Sequence, residues 1–155
     1  MEHKTKVNAE EGKQEILITR EFDLPLELLF RAHAEPELIE QWMGTKVLKM
    51  DSKKHGSWDF EKTDEKGNIL FKATGVFHEF IPNRKITRTF EMENAPIGVQ
   101  LEITEFEKLT DETSKVNIHT IYESVAQRDQ VVKFGMEKGI NMAHDRMQEV
   151  LNKLK

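Results

Sequence analysis

One strand signal feeds directly into two helices that each begin at a proline. Ile18-Thr19-Arg20-Glu21-Phe22-Asp23-Leu24-Pro25 precedes Leu28-Leu29-Phe30-Arg31-Ala32, and Glu35-Pro36-Glu37-Leu38-Ile39-Glu40-Gln41-Trp42 follows. Proline suits the first turn of a helix because its φ is already helical and no N–H is lost there. Glu27 lies in the first turn of the first helix, where the dipole favours a carboxylate. Leu26, Leu29, Phe30 and His33 have helical spacing, as do Leu38, Ile39 and Trp42, and Gly44 ends the second helix. Two short helices at one end of a strand leave the rest of the chain to build a sheet that they cover.

That sheet is legible from Thr45 onward. Strands are expected at Lys46–Met50, Ser57–Lys62, Ile69–Phe80, Lys85–Met92, Val99–Lys108 and Lys115–Glu123, after a first strand at Glu15–Phe22. The breaks carry turn chemistry: Asp64-Glu65-Lys66-Gly67-Asn68, Pro82-Asn83, Asn94-Ala95-Pro96 with Gly98, and Thr110-Asp111-Glu112. Consecutive strands joined by short turns imply an antiparallel meander. Gln127 to Leu154 reads as one long helix, with Val132, Met136, Gly139, Ala143, Met147, Val150 and Leu154 on a single stripe. Gly inside a helix costs about 1 kcal/mol against Ala. Gly135 and Gly139 therefore suggest a close backbone approach or space beside the sheet.

The expected architecture is α+β, in the order β-α-α-β6-α. A curved antiparallel sheet of about six to seven strands wraps a long C-terminal helix, whose apolar stripe must be buried against the concave face. The 155 residues make one domain, residues 15–155, after a flexible tail at 1–14. Hydrophobic residues make up 37% and charged residues 33%, the balance of a globular chain with a well-solvated surface. The formal charge of −5 gives no basic field for nucleic acid. No apolar run reaches the roughly 20 residues of a membrane span, and Met1 to Gln14 lacks the apolar segment of a signal peptide. A cytoplasmic protein without membrane insertion is the expectation. With no cysteine, thiolate chemistry and Cys-ligated zinc are excluded.

Catalytic motifs are absent. No G-x-S-x-G element surrounds a serine, and the glycines form no phosphate-cradling pattern. The histidines 3, 33, 55, 78, 119 and 144 make no metal-type pair, so no metal and no cofactor are expected. Glu105 with Glu107, and Glu91 with Glu93, read as solvated strand faces. The catalytic residues, if any, are unassigned. The aromatics are the stronger signal. Trp58 and Phe60 alternate on one strand face, Phe71 and Phe77 on the next, and Phe90 on the third. Trp42 and Met43 close the helical end; Met136, Ile140 and Met147 come from the last helix. With Leu101, these residues are the candidate lining of an apolar ligand pocket, and His119 and Tyr122 are candidate polar orienting groups. His78 and Arg88 take the same role if they face inward.

The residues also resemble a family. Arg20-Glu21-Phe22-Asp23-x-Pro25, Phe30-Arg31-Ala32, Pro36-Glu37-x-Ile39-x-x-Trp42-x-Gly44 and Asp51 followed by Gly56-x-Trp58-x-Phe60 carry the likeness. Gly75-x-Phe77-x-Glu79, Pro82, Ile86-x-x-Thr89, Arg128-Asp129, Gly135-Met136 and Gly139 continue it. The ordered set resembles the START-like, helix-grip superfamily of birch-pollen-type allergens, polyketide cyclases and lipid-transfer domains. Its nearest likeness is to the branch named after the C-terminal domain of the activator of heat-shock protein 90 ATPase. The resemblance implies a helix-grip fold with a cavity between sheet and last helix. It has departures at Met43, Thr45, Lys53-Lys54-His55-Gly56 and Ile140, positions at the expected mouth and wall.

Three functions fit. The first is a binding protein for a small hydrophobic or amphipathic, lipid- or polyketide-like molecule. The second is a cofactor-independent cyclase or aromatase, acting by positioning its substrate. The third is an interaction module that serves a chaperone or a stress response.

Overall fold

The computed structural model describes residues 3–155. Its elements run β1 (Lys6–Asn8), β2 (Glu15–Phe22), α1 (Leu26–Ala34), α2 (Pro36–Met43), β3 (Lys46–Met50), β4 (Ser57–Thr63), β5 (Ile69–Ile81), β6 (Lys85–Met92), β7 (Val99–Lys108), β8 (Ser114–Ile121), α3 (Val125–Lys133) and α4 (Met136–Asn152). The eight strands form one antiparallel sheet in the order β1-β2-β8-β7-β6-β5-β4-β3. The α+β architecture is the helix-grip arrangement expected, with one strand more. That strand, Lys6–Asn8, comes from the segment read as the 1–14 tail and pairs Val7 with Ile18. Met1 and Glu2, the start of that tail, lie outside the described residues.

The two prolines act one position apart from each other. Pro25 is the N-cap of α1, and its carbonyl accepts from the N–H groups of Leu28 and Leu29. Pro36 is the first residue of α2. Gly44 closes α2 at φ 69°, a left-handed conformation that a side chain disfavours. The Trp42 indole N–H donates to the Ala32 carbonyl at 2.7 Å, which locks α2 against α1. Leu28, Leu29, Phe30, Leu38, Ile39 and Trp42 point down onto Phe60, Phe77, Phe106 and Val116 of the sheet, forming the main core.

The expected single C-terminal helix is two helices. Gly135 adopts φ 79° and separates α3 from α4, leaving Phe134 68% exposed at the joint. An αL residue cannot continue a right-handed helix, so the stripe read through Gly135 is interrupted. Gly139 has nothing within 4 Å of where a Cβ would sit, so it marks neither a close approach nor a packed wall. Ser124 caps α3 by accepting from the Gln127 N–H at 3.1 Å. The grip itself comes from α4, which buries His144, Met147 and Leu151.

The N-terminal segment is stitched to α4. The Thr5 N–H donates to Asn141 Oδ1 at 3.1 Å, and Thr5 Oγ1 lies 2.8 Å from His144 Nδ1. Arg20, reaching inward from β2, donates to Asp145 at 2.7 Å. No helix among the described residues is long and apolar enough to cross a membrane.

Candidate functional site

Alternation along the strands decides what the concave face carries. On β7 the buried or half-buried inward series is Gln100, Glu102, Thr104 and Phe106; on β6 it includes Ile86, Arg88 and Phe90. Arg88 is paired in register with Glu102, and its Nε donates to Glu102 Oε1 at 2.9 Å. Each of these side chains is only about one-fifth exposed, 17% and 20%. This ion pair lies on the inner face of the sheet, where apolar residues are the rule.

A cavity of about 40 Å³ opens beside it, beneath α1 and α2. Trp42, Met43 and Ile39 of α2, with Phe60, Phe77 and Ile86 of the sheet, supply its apolar wall; His33, Arg88, Glu102 and Thr104 supply its polar side. At roughly 10–15 Å³ for each water, the volume suits a few waters rather than an acyl chain. The guanidinium of Arg88 also stands over the Trp58 ring, 4.5 Å from its centroid, a cation–π arrangement. Trp58 packs in turn on Phe60 at 4.7 Å and Phe90 at 5.3 Å, and Phe90 on Phe71 at 6.3 Å. An aromatic run therefore continues from the cavity along β4, β5 and β6.

His33 is held in a defined protonation state. Its Nδ1 lies 2.9 Å from the Leu29 carbonyl, which can only accept, so Nδ1 carries the proton. Burial pushes the imidazole down to about 4, so the ring is neutral at physiological pH and its Nε2 is an acceptor. Phe106 meets the ring edge-on at 5.0 Å, and Trp42 lies 5.6 Å from it.

The structure divides the candidate residues. Trp42, Met43, Phe60 and Phe77 line the cavity, and Trp58, Phe71 and Phe90 extend its aromatic wall. Met147 is wholly buried in the main core. Met136 and Ile140 pack instead on a second cluster with Ile16, Ile18 and Tyr122. Burial raises the Tyr122 phenol well above its usual range, with Glu102 adding to the shift and Arg128 opposing it. Leu101 and His119 do not line the inner face, which corrects their assignment to the lining. Leu101 pairs with Ile121, and His119 with Ile103 and Leu17, on the outer face, and His119 meets Glu15 there. The reason is strand parity: with Glu102 and Thr120 inward, their odd-numbered neighbours point out. His78 sits exposed at the bulge between Phe77 and Glu79.

Sequence reasoning missed His33, Glu102 and Thr104 as site residues, and had Arg88 only conditionally. The missed signal was parity. Once Phe106 is taken as a core residue, Thr104 and Glu102 must face inward with it. No group of three or more His, Cys, Asp or Glu able to hold a metal occurs among the described residues.

The profile of the family described as Activator of Hsp90 ATPase homolog 1-like protein matches residues 23–152. A comparison with curated proteins finds no match. Among solved structures, a Mycobacterium smegmatis protein superposes with a TM-score of 0.83 at 18% identity, covering 96% of each chain. A protein from Arthrobacter aurescens gives 0.84 at 19%, covering 96% of this chain and 91% of its own. One from Rhodobacter sphaeroides gives 0.84 at 17%, covering 97% and 99%. At such identities the likeness is one of fold.

Proposed function

We propose that this chain, which belongs to the family of activator of Hsp90 ATPase homolog 1-like proteins, is a binding protein for a small amphipathic molecule seated on the concave face of the sheet. The observation that carries this reading is the Arg88–Glu102 ion pair turned inward against an aromatic wall and a void. Replacing a buried ion pair by apolar residues of similar volume is often neutral or stabilising. A pair kept beside a cavity, with a neutral imidazole and a threonine hydroxyl, fits a polar end of a ligand better than it fits stability. The apolar end would lie along Trp42, Phe60 and Phe77.

The cavity of about 40 Å³ sets how binding must proceed. Any ligand larger than a few waters requires the wall to yield. Met43, half-buried at the end of α2, is the flexible unbranched side chain placed to do so. A cyclase-type reaction has less support. His33, held at about 4, is a weak base at neutral pH.

Native mass spectrometry after exposure to a small-molecule extract of host cells tests the reading. A discrete adduct is expected, lost on denaturation and lost in a Met43→Trp variant that fills the mouth. A clean unliganded mass for the unmodified chain under the same exposure would overturn it.

A further inference from the structure

We infer that the cavity selects an uncharged head group that both donates and accepts hydrogen bonds, such as an alcohol, a phenol or a primary amide, and discriminates against carboxylates and amines. The inference rests on the binding role proposed above and adds the chemistry of what is bound. Arg88 and Glu102 neutralise one another at 2.9 Å, so the polar side of the cavity carries both signs and no net charge. An incoming carboxylate could reach the terminal nitrogens of Arg88 only by standing next to the Glu102 carboxylate, which repels it. An incoming ammonium would face Arg88 in the same way. Both repulsions act beside an ion pair that is mostly shielded from water and so only weakly screened.

The remaining polar groups point to the same chemistry. Nε of Arg88 is engaged by Glu102, and its terminal nitrogens have no protein partner among the described residues, so they remain donors. His33 adds an acceptor and no charge: burial keeps the ring neutral, and its one proton lies on Nδ1 toward the Leu29 carbonyl, which leaves Nε2 to accept. The Thr104 hydroxyl both donates and accepts. A hydroxyl group suits all three: its oxygen accepts from Arg88 and from the Thr104 hydroxyl, and its one proton goes to His33 Nε2. Sites built around such paired polar groups reject the analogue that lacks the matching group, because the site's own groups are then left unpartnered.

The test uses four probes of similar size on the full chain at pH 7: phenol, benzoate, benzylamine and toluene. Binding is read from the indole N–H resonances of Trp42 and Trp58. Phenol should bind at least about tenfold more tightly than each of the other three. In Glu102→Gln the cavity gains a net positive charge, and benzoate should rise above phenol. The wild-type ranking decides the matter whatever the stability of the variant. Benzoate or benzylamine binding best to the wild type would overturn the inference and leave the container reading intact. Toluene binding as tightly as phenol would do the same. If none of the four perturbs either indole, the container reading falls, and this inference with it.

Discussion

Arg88 and Glu102 stand opposite each other on β6 and β7, and neither is dispensable alone. Arg88→Met should leave a largely buried carboxylate without its partner and cost about 2–3 kcal/mol. The double change Arg88→Met with Glu102→Leu should recover most of that loss, as measured by urea denaturation. A double variant no more stable than the single would show that the pair itself contributes to stability. Gly75 is constrained in a different way. A Cβ there would stand 1.8 Å from the Thr89 carbonyl oxygen and 2.7 Å from the Trp58 indole nitrogen. The backbone of β6 would have to shift, so Gly75→Ala should lower stability by about 3 kcal/mol. An unchanged urea midpoint would show that β5 and β6 separate there freely.

At the scale of elements, the two glycines near the start of α4 make opposite predictions. Gly135 is left-handed, and Gly135→Ala should cost about 1 kcal/mol. Gly139 is helical, exposed and without neighbours, so Gly139→Ala should gain about 0.5–1 kcal/mol. Thermal denaturation of the two variants separates them by the sign of the change. The same pair shows where a sequence informs and where it misleads. Both glycines are visible in the sequence, but the conformation at each depends on whether the chain turns there, which no stripe of apolar residues records. Strands and the first two helices were legible because Pro25, Pro36, Gly67 and Asn83 punctuate them. β1 was not, since three residues, Lys6, Val7 and Asn8, form a strand only when β2 offers an edge. The aromatic wall was legible from hydrophobicity. The polar side was not, because Glu102 and Thr104 face in while Leu101, 36% exposed, faces out. Hydrophobicity alone orders those residues the other way.

For the whole molecule, acid should act through two buried imidazoles. His33 is pushed down to about 4 and His144 to about 3, in each case chiefly by burial. For His144, the nearby His33 and Arg20 add to the shift. In the unfolded chain both titrate near 6.5. Because the folded state holds them neutral, the unfolded state binds more protons as the medium acidifies. Their contribution is complete above pH ~6.5 and is lost progressively as pH falls toward 4 and then 3. Each tenfold difference in proton affinity is worth ~1.4 kcal/mol, so the two together amount to several kcal/mol. The urea midpoint should already decline between pH 6.5 and 5, above the range in which most carboxylates titrate. A midpoint flat across that interval would overturn the account.

The order of the strands has a consequence for how the chain comes to exist. β2 lies between β1 and β8, and Glu15 pairs with Ile121. During synthesis from the N-terminus, β8, the second of the two neighbours of β2, emerges only after β3 to β7. Until then Ile16, Ile18 and Phe22, all buried in the finished molecule, have no β8 to pair beside. A contact spanning so much of the chain is slow to close. The nascent chain therefore carries β2 with only β1 beside it and its other edge open until β3 to β7 have all been made.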